Sequence, residues 1–386
     1  MAMTHISERE SELPDTIFLQ LQELAAEHKD IISLSIGEPD FKTPKPILDA
    51  AKKFMVNGTH YSPAAGRTDL RQAIAQKLRK ENKISADWEN VIVTAGSQQG
   101  LMAALLATVD PTEEVVMTSP GYLGYLPTVE LANGVPVFVR LNENDGWQIN
   151  PDEIKKKITK KTVAIIVNTP ANPTGTVLRK KILEEISDIA IQNNIYIFSD
   201  EAYEKIIYGG AKHISIGSLN GMDEHVVTFN TFSKTYAMCG FRLGYMQGPK
   251  EFVNAVSKVH HFMEICAPHT SQLAGLAALK LPNKYVNTMV REYDRRRKLI
   301  IKRLNEISLK TVNPEGTFYA LADISEFSNS SVKFAKDLIK KARVACVPGT
   351  EFGPYGEGLV RFSYANDYDM IKKAMDRIGK ALRRGP

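Results

Sequence analysis

Short apolar runs recur seven times between residues 47 and 280, and helical periodicity separates several of them, for example at Leu101–Ala107 and Lys180–Gln192. Strands that alternate with helices are typical of a buried, mostly parallel sheet with helices on both faces. We therefore predict an α/β fold built on a mainly parallel seven-stranded sheet. The predicted strands are Val91–Thr94, Glu114–Thr118, Val135–Val139, Val163–Val167, Ile195–Ser199, Val226–Phe229 and Leu243–Met246.

A different pattern begins near residue 281. It predicts helices at 284–307, 331–342 and 368–383, with short strands near Phe318–Leu321, Val344–Val347 and Leu359–Phe362. We expect a large domain at 47–280 and a smaller α+β domain at 281–386. The N-terminal segment 1–46, with a short amphipathic helix at 16–27 and an extended run at Ile31–Ile36, is predicted to join the small domain.

Length and composition exclude several classes of protein. A chain of 386 residues is too long for one simple core, and its net charge of +5 includes no Lys/Arg block of the nucleic-acid-binding kind. Cys239, Cys266 and Cys346 are far apart, which predicts reduced, buried thiols and no metal site. The N-terminus is polar and no apolar run approaches membrane-spanning length, so we expect a cytoplasmic protein without a membrane partner.

The most informative chemical motif is Thr231-Phe232-Ser233-Lys234, followed by Arg242. A lysine amine can form an imine with a carbonyl, while hydroxyls and a guanidinium can hold a phosphate beside it. These are the requirements of pyridoxal 5'-phosphate (PLP). A Ser-Lys pair on a solvated surface is the alternative interpretation of the motif alone.

Three further polar residues follow predicted strands. Asn172, in Asn172-Pro173-Thr174-Gly175, is positioned to hydrogen-bond a ligand, although such turns also commonly follow strands in α/β proteins without a binding role. Asp200 can keep a pyridine nitrogen protonated, or simply cap the next helix. Arg361 can bind a substrate carboxylate, or form a surface ion pair.

The order Asn172, Asp200, Lys234, Arg242, Arg361 resembles that of the class I/II aminotransferases of PLP fold type I, the branch with aspartate, aromatic and alanine aminotransferases. The resemblance covers nearly the whole chain. Its other blocks are Ser33-Leu34-Ser35-Ile36-Gly37-Glu38-Pro39-Asp40-Phe41, Tyr61-Ser62-Pro63-Ala64-Ala65-Gly66, Ala95-Gly96-Ser97-Gln98-Gln99 and Pro120-Gly121-Tyr122.

The resemblance implies a role for each of these positions. Lys234 is similar to the lysine that holds PLP as an internal aldimine and then transfers protons as base and acid. Asp200 matches the partner of the pyridine nitrogen, and Asn172 with Tyr203 match the pair that hydrogen-bonds the phenolic oxygen. The catalytic residues are expected to be Lys234, Asp200 and Tyr203.

The remaining implied contacts complete the site. Tyr122 resembles the aromatic ring stacked on the pyridine, and Arg361 with Gly37 and Asn172 resemble the residues around the substrate. The phosphate contacts are implied to be Gly96, Ser97, Gln98, Thr231, Ser233, Arg242 and, from a neighbouring subunit, Tyr61. A homodimer with shared active sites is expected.

Substrate preference is not determined by these blocks. Some aspartate-specific relatives have a lysine where this chain has Ser97, and others an arginine in the segment that here reads His261–Cys266 without one. His269 and His60 are alternative cations for a dicarboxylate such as aspartate, and aromatic, alanine-like and broad-range preferences stay open as well.

The resemblance implies transfer of an α-amino group from an L-amino acid to a 2-oxo acid, with 2-oxoglutarate as acceptor, by a ping-pong mechanism. A PLP-dependent β-lyase on the same scaffold is the alternative function. A regulator with a DNA-binding domain is disfavoured by the short segment before the first block. A nicotinamide dehydrogenase is disfavoured because no G-x-G-x-x-G follows a strand.

Overall fold

A computed structural model describes Ser7, Leu13 and residues 17–27, 30–56 and 60–383 of the chain. Of the predicted N-terminal helix at 16–27, residue 16 lies outside this range, and so does most of the polar N-terminus. Within the described residues, no helix combines the length and apolar character needed to cross a membrane.

The central element is a seven-stranded sheet, which confirms the predicted fold class. The order across the sheet is β2-β8-β7-β6-β5-β3-β4, and only β8 runs antiparallel to its neighbours. The predicted strand ends are correct to two residues or better. The strands are β2 (Val91–Thr94), β3 (Glu114–Ser119), β4 (Val135–Arg140), β5 (Thr162–Asn168), β6 (Tyr196–Asp200), β7 (Val226–Thr231) and β8 (Gly244–Gln247), after a short β1 (Ile32–Ser33).

Helices cover both faces of this sheet. The described helices are α1 (Ile17–Ala26), α2 (Lys45–Met55), α3 (Thr68–Lys77), α4 (Ser97–Thr108), α5 (Tyr125–Leu131), α6 (Pro151–Lys157), α7 (Lys180–Asn193), α8 (Phe232–Thr235), α9 (Lys250–Glu264), α10 (His269–Leu279), α11 (Lys284–Glu306), α12 (Ser331–Asp337) and α13 (Tyr368–Arg383).

Strand β5 shows why both faces need covering. Successive side chains of a strand point to opposite faces, and every residue of β5 from Ala164 to Val167 is apolar and buried. Ala164 and Ile166 pack in a core with α4 and α9, whereas Ile165 and Val167 pack in another with α6 and α7. The continuous apolar run therefore specifies a strand between two helical layers.

Two smaller sheets lie outside the seven-stranded one. β9 (Tyr319–Asp323), β12 (Leu359–Ser363) and β11 (Val347–Pro348) form an antiparallel sheet in the order β11-β12-β9, and β10 (Val344–Ala345) pairs in parallel with β1. The N-terminal strand thus joins the C-terminal part of the chain. The boundaries near residues 46 and 280 stay predictions.

Two local predictions were wrong in detail. The run Val344–Val347 is two strands in different sheets rather than one, because Cys346 separates β10 from β11. The predicted helix at 331–342 ends as an α-helix at Asp337, and a single π-helical turn, Leu338–Ala342, continues it. Neither change moves a residue of the candidate site.

The candidate site is placed by the carboxyl ends of the parallel strands. Asn168 at the end of β5 pairs with Asp200 at the end of β6, and Thr231 ends β7. The antiparallel β8 begins at this same edge, where Gly244 pairs with both Thr94 and Thr231. Arg242, two residues before β8, is thereby brought to the strand ends although its own strand runs the other way.

Candidate active site

One cavity at this edge brings together every predicted site residue except Tyr61. Its empty volume is about 1140 Å³, counting the solvent at its open mouth. The predicted residues that line it are Gly37, Gly96, Ser97, Gln98, Tyr122, Asn172, Asp200, Tyr203, Thr231, Ser233, Lys234, Arg242 and Arg361. Tyr61 is not among them and is 79% exposed.

Lys234 lies on α8, a single turn directly after β7. The Thr231 hydroxyl oxygen accepts a hydrogen bond from the Ser233 amide at 3.1 Å, which caps this turn. Phe232 is buried against Tyr245, so the turn is anchored on its inner side. The Lys234 amine points into the cavity and donates to the Gly37 carbonyl at 2.7 Å.

Asp200 is held in one orientation by two donors. Its Oδ1 accepts from the Ala202 amide at 3.1 Å, and its Oδ2 accepts from the Tyr125 hydroxyl at 2.7 Å. Desolvation raises the pKa of Asp200, while the Tyr125 hydrogen bond opposes this rise. A cationic N–H in the cavity would favour the ionised carboxylate further.

An anion-binding surface forms where β2 enters α4. Gly96 has a φ of 87°, and a Cβ there would lie 2.6 Å from Nη2 of Arg242, so the close approach of this guanidinium requires glycine. The first amides of α4 and the helix dipole face the cavity beside Arg242. The hydroxyls of Thr231 and Ser233 line the same region.

Arg361 lines the cavity and retains N–H donors that no described residue accepts from. It lies in β12, is 3% exposed, and donates to Asn172 Oδ1 at 3.0 Å and to the Ser35 carbonyl at 2.8 Å. Its Nε is buried without a hydrogen-bond partner among the described residues. A buried guanidinium with a free donor edge fits a carboxylate, which can accept two parallel hydrogen bonds.

Tyrosines line the remaining wall. The hydroxyl of Tyr203 lies 2.9 Å from that of Tyr319, and burial raises the pKa of Tyr203. Burial also raises the pKa of Tyr122 to about 12. The Tyr122 ring packs edge-on against Tyr125, with 5.2 Å between ring centroids. Tyr203 and Tyr122 therefore stay neutral at physiological pH.

The sequence analysis missed several of the site's residues. Tyr125 contacts Asp200 directly, and its position three residues after Tyr122 was the available signal. Tyr319 lies within the strand predicted near Phe318–Leu321, and the sequence analysis assigned it no role in the site. Ser35 and Asn168 also line the cavity.

Other predicted residues lie elsewhere. His60 and His269 do not line the cavity, and His269 lies 2.8 Å from the Ser62 hydroxyl and 3.3 Å from Arg67. The cysteines are unpaired, but Cys239 and Cys266 are only half-buried, so the expectation of three buried thiols was wrong.

A buried charged network lies behind Asp200. Lys77, 8% exposed, pairs with Glu204 and donates to Asn82 at 2.8 Å, and His213 lies 2.9 Å from Glu201. Desolvation acts to raise the pKa of Glu204, but the nearby lysines outweigh it and lower the pKa to about 2. Ligand-type atoms of Glu201, Glu204 and His213 lie within 4.8 Å of one another, yet the Lys77 ammonium already neutralises Glu204. The group is an ion-paired network of the protein itself.

Comparison with known proteins agrees with this geometry. Residues 29–378 match the family model "Aminotransferase class I and II". The chain is 45% identical to aspartate aminotransferase of Pyrococcus abyssi, over 94% of this chain and 95% of that protein. It is 44% identical to aromatic-amino-acid aminotransferase 2 of Thermococcus litoralis, with the same coverage.

A solved structure of aspartate aminotransferase from Thermus thermophilus with maleate superimposes with a TM-score of 0.93 at 37% identity, covering 98% of this chain and all of that one. The fold that the two proteins share is PLP fold type I, as predicted from the sequence. The chain therefore belongs to the class I and II aminotransferase family and is an aminotransferase.

Proposed function

We propose that this aminotransferase moves the α-amino group of an L-amino acid to a 2-oxo acid, using PLP bound at Lys234. One observation carries the proposal. The Lys234 amine, the Asp200 carboxylate and the Arg361 guanidinium line the same cavity, although they are distant in the sequence. An amine, an anion and a carboxylate-binding cation are the groups that this reaction requires.

The donor set of the cavity fits PLP. The α4 amides with Thr231, Ser233 and Arg242 would hold the phosphate, and Asp200 would accept the hydrogen bond of the pyridine nitrogen. Asn172 and Tyr203 would bind the phenolic oxygen, Tyr122 would cover a ring face, and Lys234 would hold the carbonyl carbon. When bound, PLP withdraws electrons from the substrate α-carbon and makes its proton removable.

The protein's own side chains supply positioning and proton transfer. Arg361 binds the substrate α-carboxylate and so fixes the α-carbon relative to the Lys234 amine. Lys234 removes the α-proton and returns a proton to the product, as base and then acid. Asp200 stays anionic opposite a cationic ring nitrogen, because Tyr125 and the Ala202 amide stabilise its charge.

The proposed donors are aspartate or aromatic amino acids, with 2-oxoglutarate as acceptor in a ping-pong reaction. The names of the similar proteins from Pyrococcus abyssi and Thermococcus litoralis support both kinds of donor. Neither Ser97 nor the segment 261–266 supplies a lysine or arginine for the side-chain carboxylate of a dicarboxylic substrate. The similar proteins are aminotransferases and give the β-lyase alternative no support.

We also propose a homodimer in which Tyr61 reaches the phosphate of the partner's site. Tyr61, Phe262, Met263 and Ile265 are exposed, and Phe262 is 88% exposed. These four residues define an apolar surface. It lies beside the cavity, because Glu264 in the same segment accepts a hydrogen bond from the Ala95 amide at 3.2 Å. Large exposed apolar groups beside a site favour contact with another protein surface.

Borohydride trapping tests the proposed function. The purified protein is loaded with PLP, reduced, digested and mapped by mass spectrometry. We expect a pyridoxyl adduct on the peptide with Lys234, and no adduct or transamination in Lys234→Ala. The exposed Lys160→Ala is the matched control and should behave like the wild type. Transamination by Lys234→Ala at the wild-type rate would refute the assignment.

A half-reaction screen then identifies the donors. Each L-amino acid is mixed separately with the PLP-loaded enzyme, and the loss of the visible band is followed. Fast reaction of aspartate, of aromatic amino acids or of both would define the preference. Release of pyruvate and ammonia without a 2-oxo acid would instead indicate a β-lyase.

A further inference from the structure

Tyr319 touches both halves of the candidate site. It lies in β9, is 1% exposed, and its hydroxyl is 2.9 Å from the hydroxyl of Tyr203. The guanidinium carbon of Arg361 lies over the Tyr319 ring, 4.2 Å from its centroid. One rigid side chain thus connects the residue proposed for the substrate carboxylate with a residue proposed for the phenolic oxygen of PLP.

The surrounding backbone fixes Tyr319 in this position. Its main chain pairs with Ser363 in the β9–β12 ladder. A Cβ at Gly37 would lie 2.5 Å from the Tyr319 hydroxyl, so that hydroxyl packs tightly on the backbone segment that accepts the Lys234 hydrogen bond. The Tyr319 hydroxyl therefore cannot turn away from Tyr203 without moving several elements.

Each hydroxyl carries one proton, so the hydrogen bond between Tyr203 and Tyr319 has a direction. Either oxygen can donate to the other in the protein alone. If Tyr203 donates to the phenolic oxygen of PLP, its own oxygen is left as an acceptor and Tyr319 must be the donor. The result is a chain from Tyr319 to Tyr203 to the ligand, in which each hydrogen bond polarises the next.

We propose that Tyr319 is a positioning residue that couples Arg361 to Tyr203, so that a carboxylate bound at Arg361 weakens the hydrogen bond Tyr203 gives to the cofactor. The inference rests on the proposed function. The Arg361 cation draws on the π electrons of the Tyr319 ring and strengthens its hydroxyl as a donor. A bound carboxylate neutralises that cation, and part of the effect reaches the phenolic oxygen through the two hydroxyls, in addition to the direct contact of Arg361 with Asn172.

The neighbouring groups leave a clear pH window for measuring this effect. The Lys234 amine lies near Tyr319, because it donates to Gly37, whose backbone packs against the Tyr319 hydroxyl. Among the described residues, the tyrosines that interact electrostatically with Tyr319 include Tyr203, Tyr122 and Tyr293. Burial raises the pKa of all three, to about 12 for Tyr122. A transition of the visible absorption between about pH 5 and pH 9 therefore reports the bound cofactor rather than a tyrosine.

Tyr319→Phe tests the coupling in the PLP-loaded enzyme. The pH midpoint of the visible band is measured with and without saturating 3-phenylpropionate, a carboxylate that cannot be transaminated. We expect the midpoint of the free variant to lie about half a pH unit above that of the wild type, because Tyr203 loses its polarising donor. The rise in the midpoint that 3-phenylpropionate causes should be smaller in the variant than in the wild type, because only the direct contact of Arg361 with Asn172 then carries the effect.

A double-mutant cycle separates this role from a structural one. If Tyr319 acts through Tyr203, adding Tyr319→Phe to Tyr203→Phe should not move the midpoint further. Tyr319→Phe keeps the ring under Arg361, so calorimetry should find 3-phenylpropionate affinity within about twofold of the wild type. Phe352→Leu, which alters the other ring near Arg361, is the matched control and should leave the midpoint unchanged.

The outcomes discriminate between the two proposals. A wild-type protein that takes up no PLP would remove the proposed function and the coupling together. A loaded wild type whose midpoint and carboxylate response are reproduced by Tyr319→Phe would overturn the coupling alone. An equal shift from Tyr319→Phe with and without the Tyr203 hydroxyl would also overturn it.

Discussion

The proposed carboxylate-binding role of Arg361 can be tested by replacing it with leucine. The guanidinium uses two of its five N–H donors on Asn172 and Ser35, and its Nε has no partner among the described residues. Leucine keeps an apolar side chain in the buried position but removes the charge and every donor. The variant should therefore lose the contact with the substrate carboxylate.

The expected loss follows from two charge-assisted hydrogen bonds. Each is worth about 1.5–3 kcal/mol, so a carboxylate held by two of them loses about 3–6 kcal/mol. That corresponds to a decrease of about 10²- to 10⁴-fold in kcat/KM for an amino acid. Arg361→Lys keeps the charge without the planar fork and should show an intermediate loss.

A substrate without a carboxylate provides the discriminating control. The half-reaction of each enzyme is followed by the visible band with L-phenylalanine and with 2-phenylethylamine, which differ only in that group. Arg361→Leu should slow the amino acid and leave the rate of the amine within about threefold of the wild type. Equal losses for both compounds would show that Arg361 supports the structure of the site instead, and no loss for either would refute any role in binding.

Three further changes test other parts of the structure. Lys77→Met should lower the free energy of unfolding by about 3–5 kcal/mol at pH 7, because it leaves the buried Glu204 carboxylate without its ion-pair partner. The difference from the wild type in urea unfolding should shrink as the pH falls below about 4, where the Glu204 carboxyl gains a proton. The double variant with Glu204→Gln should recover most of the lost stability. Tyr125→Phe removes a hydrogen bond that lowers the pKa of Asp200. As the pH is lowered, the variant should therefore begin to lose affinity for PLP at a higher pH than the wild type. A fluorescence titration of PLP binding that shows the same pH dependence for both proteins would contradict this. Phe262→Asp should shift sedimentation towards the monomer with unchanged far-UV circular dichroism, whereas a species identical to wild type would argue against the proposed interface.

Much of the fold followed from local pattern. The strands of the large sheet are continuous apolar runs, and residues such as Asp200 and Asn172 could be placed because polar residues after parallel strands meet at one edge. Periodicity could not show that Val344–Val347 divides between two sheets, since both halves are apolar and buried. That division depends on partners from distant parts of the chain.

The same limit explains the site residues that were missed. Tyr319 faces Arg361 because Leu321, two residues along β9, pairs with Arg361 in the neighbouring strand. Tyr125 reaches Asp200 only because α5 lies beside the end of β6. Strand register and helix placement decide both contacts, and the spacing of Tyr125 from Tyr122 was the one local signal for either of them.

The hydrogen bonds of Arg361 also set an order in which the site becomes complete. The guanidinium is tied to Asn172, 189 residues earlier in the chain, and to Ser35, 326 residues earlier. If Arg361 binds the substrate carboxylate as proposed, a chain interrupted during synthesis before β12 would contain Gly96, Asp200 and Lys234 but would lack that contact. On that proposal, the substrate carboxylate can be bound only once the C-terminal strand docks on segments translated long before it.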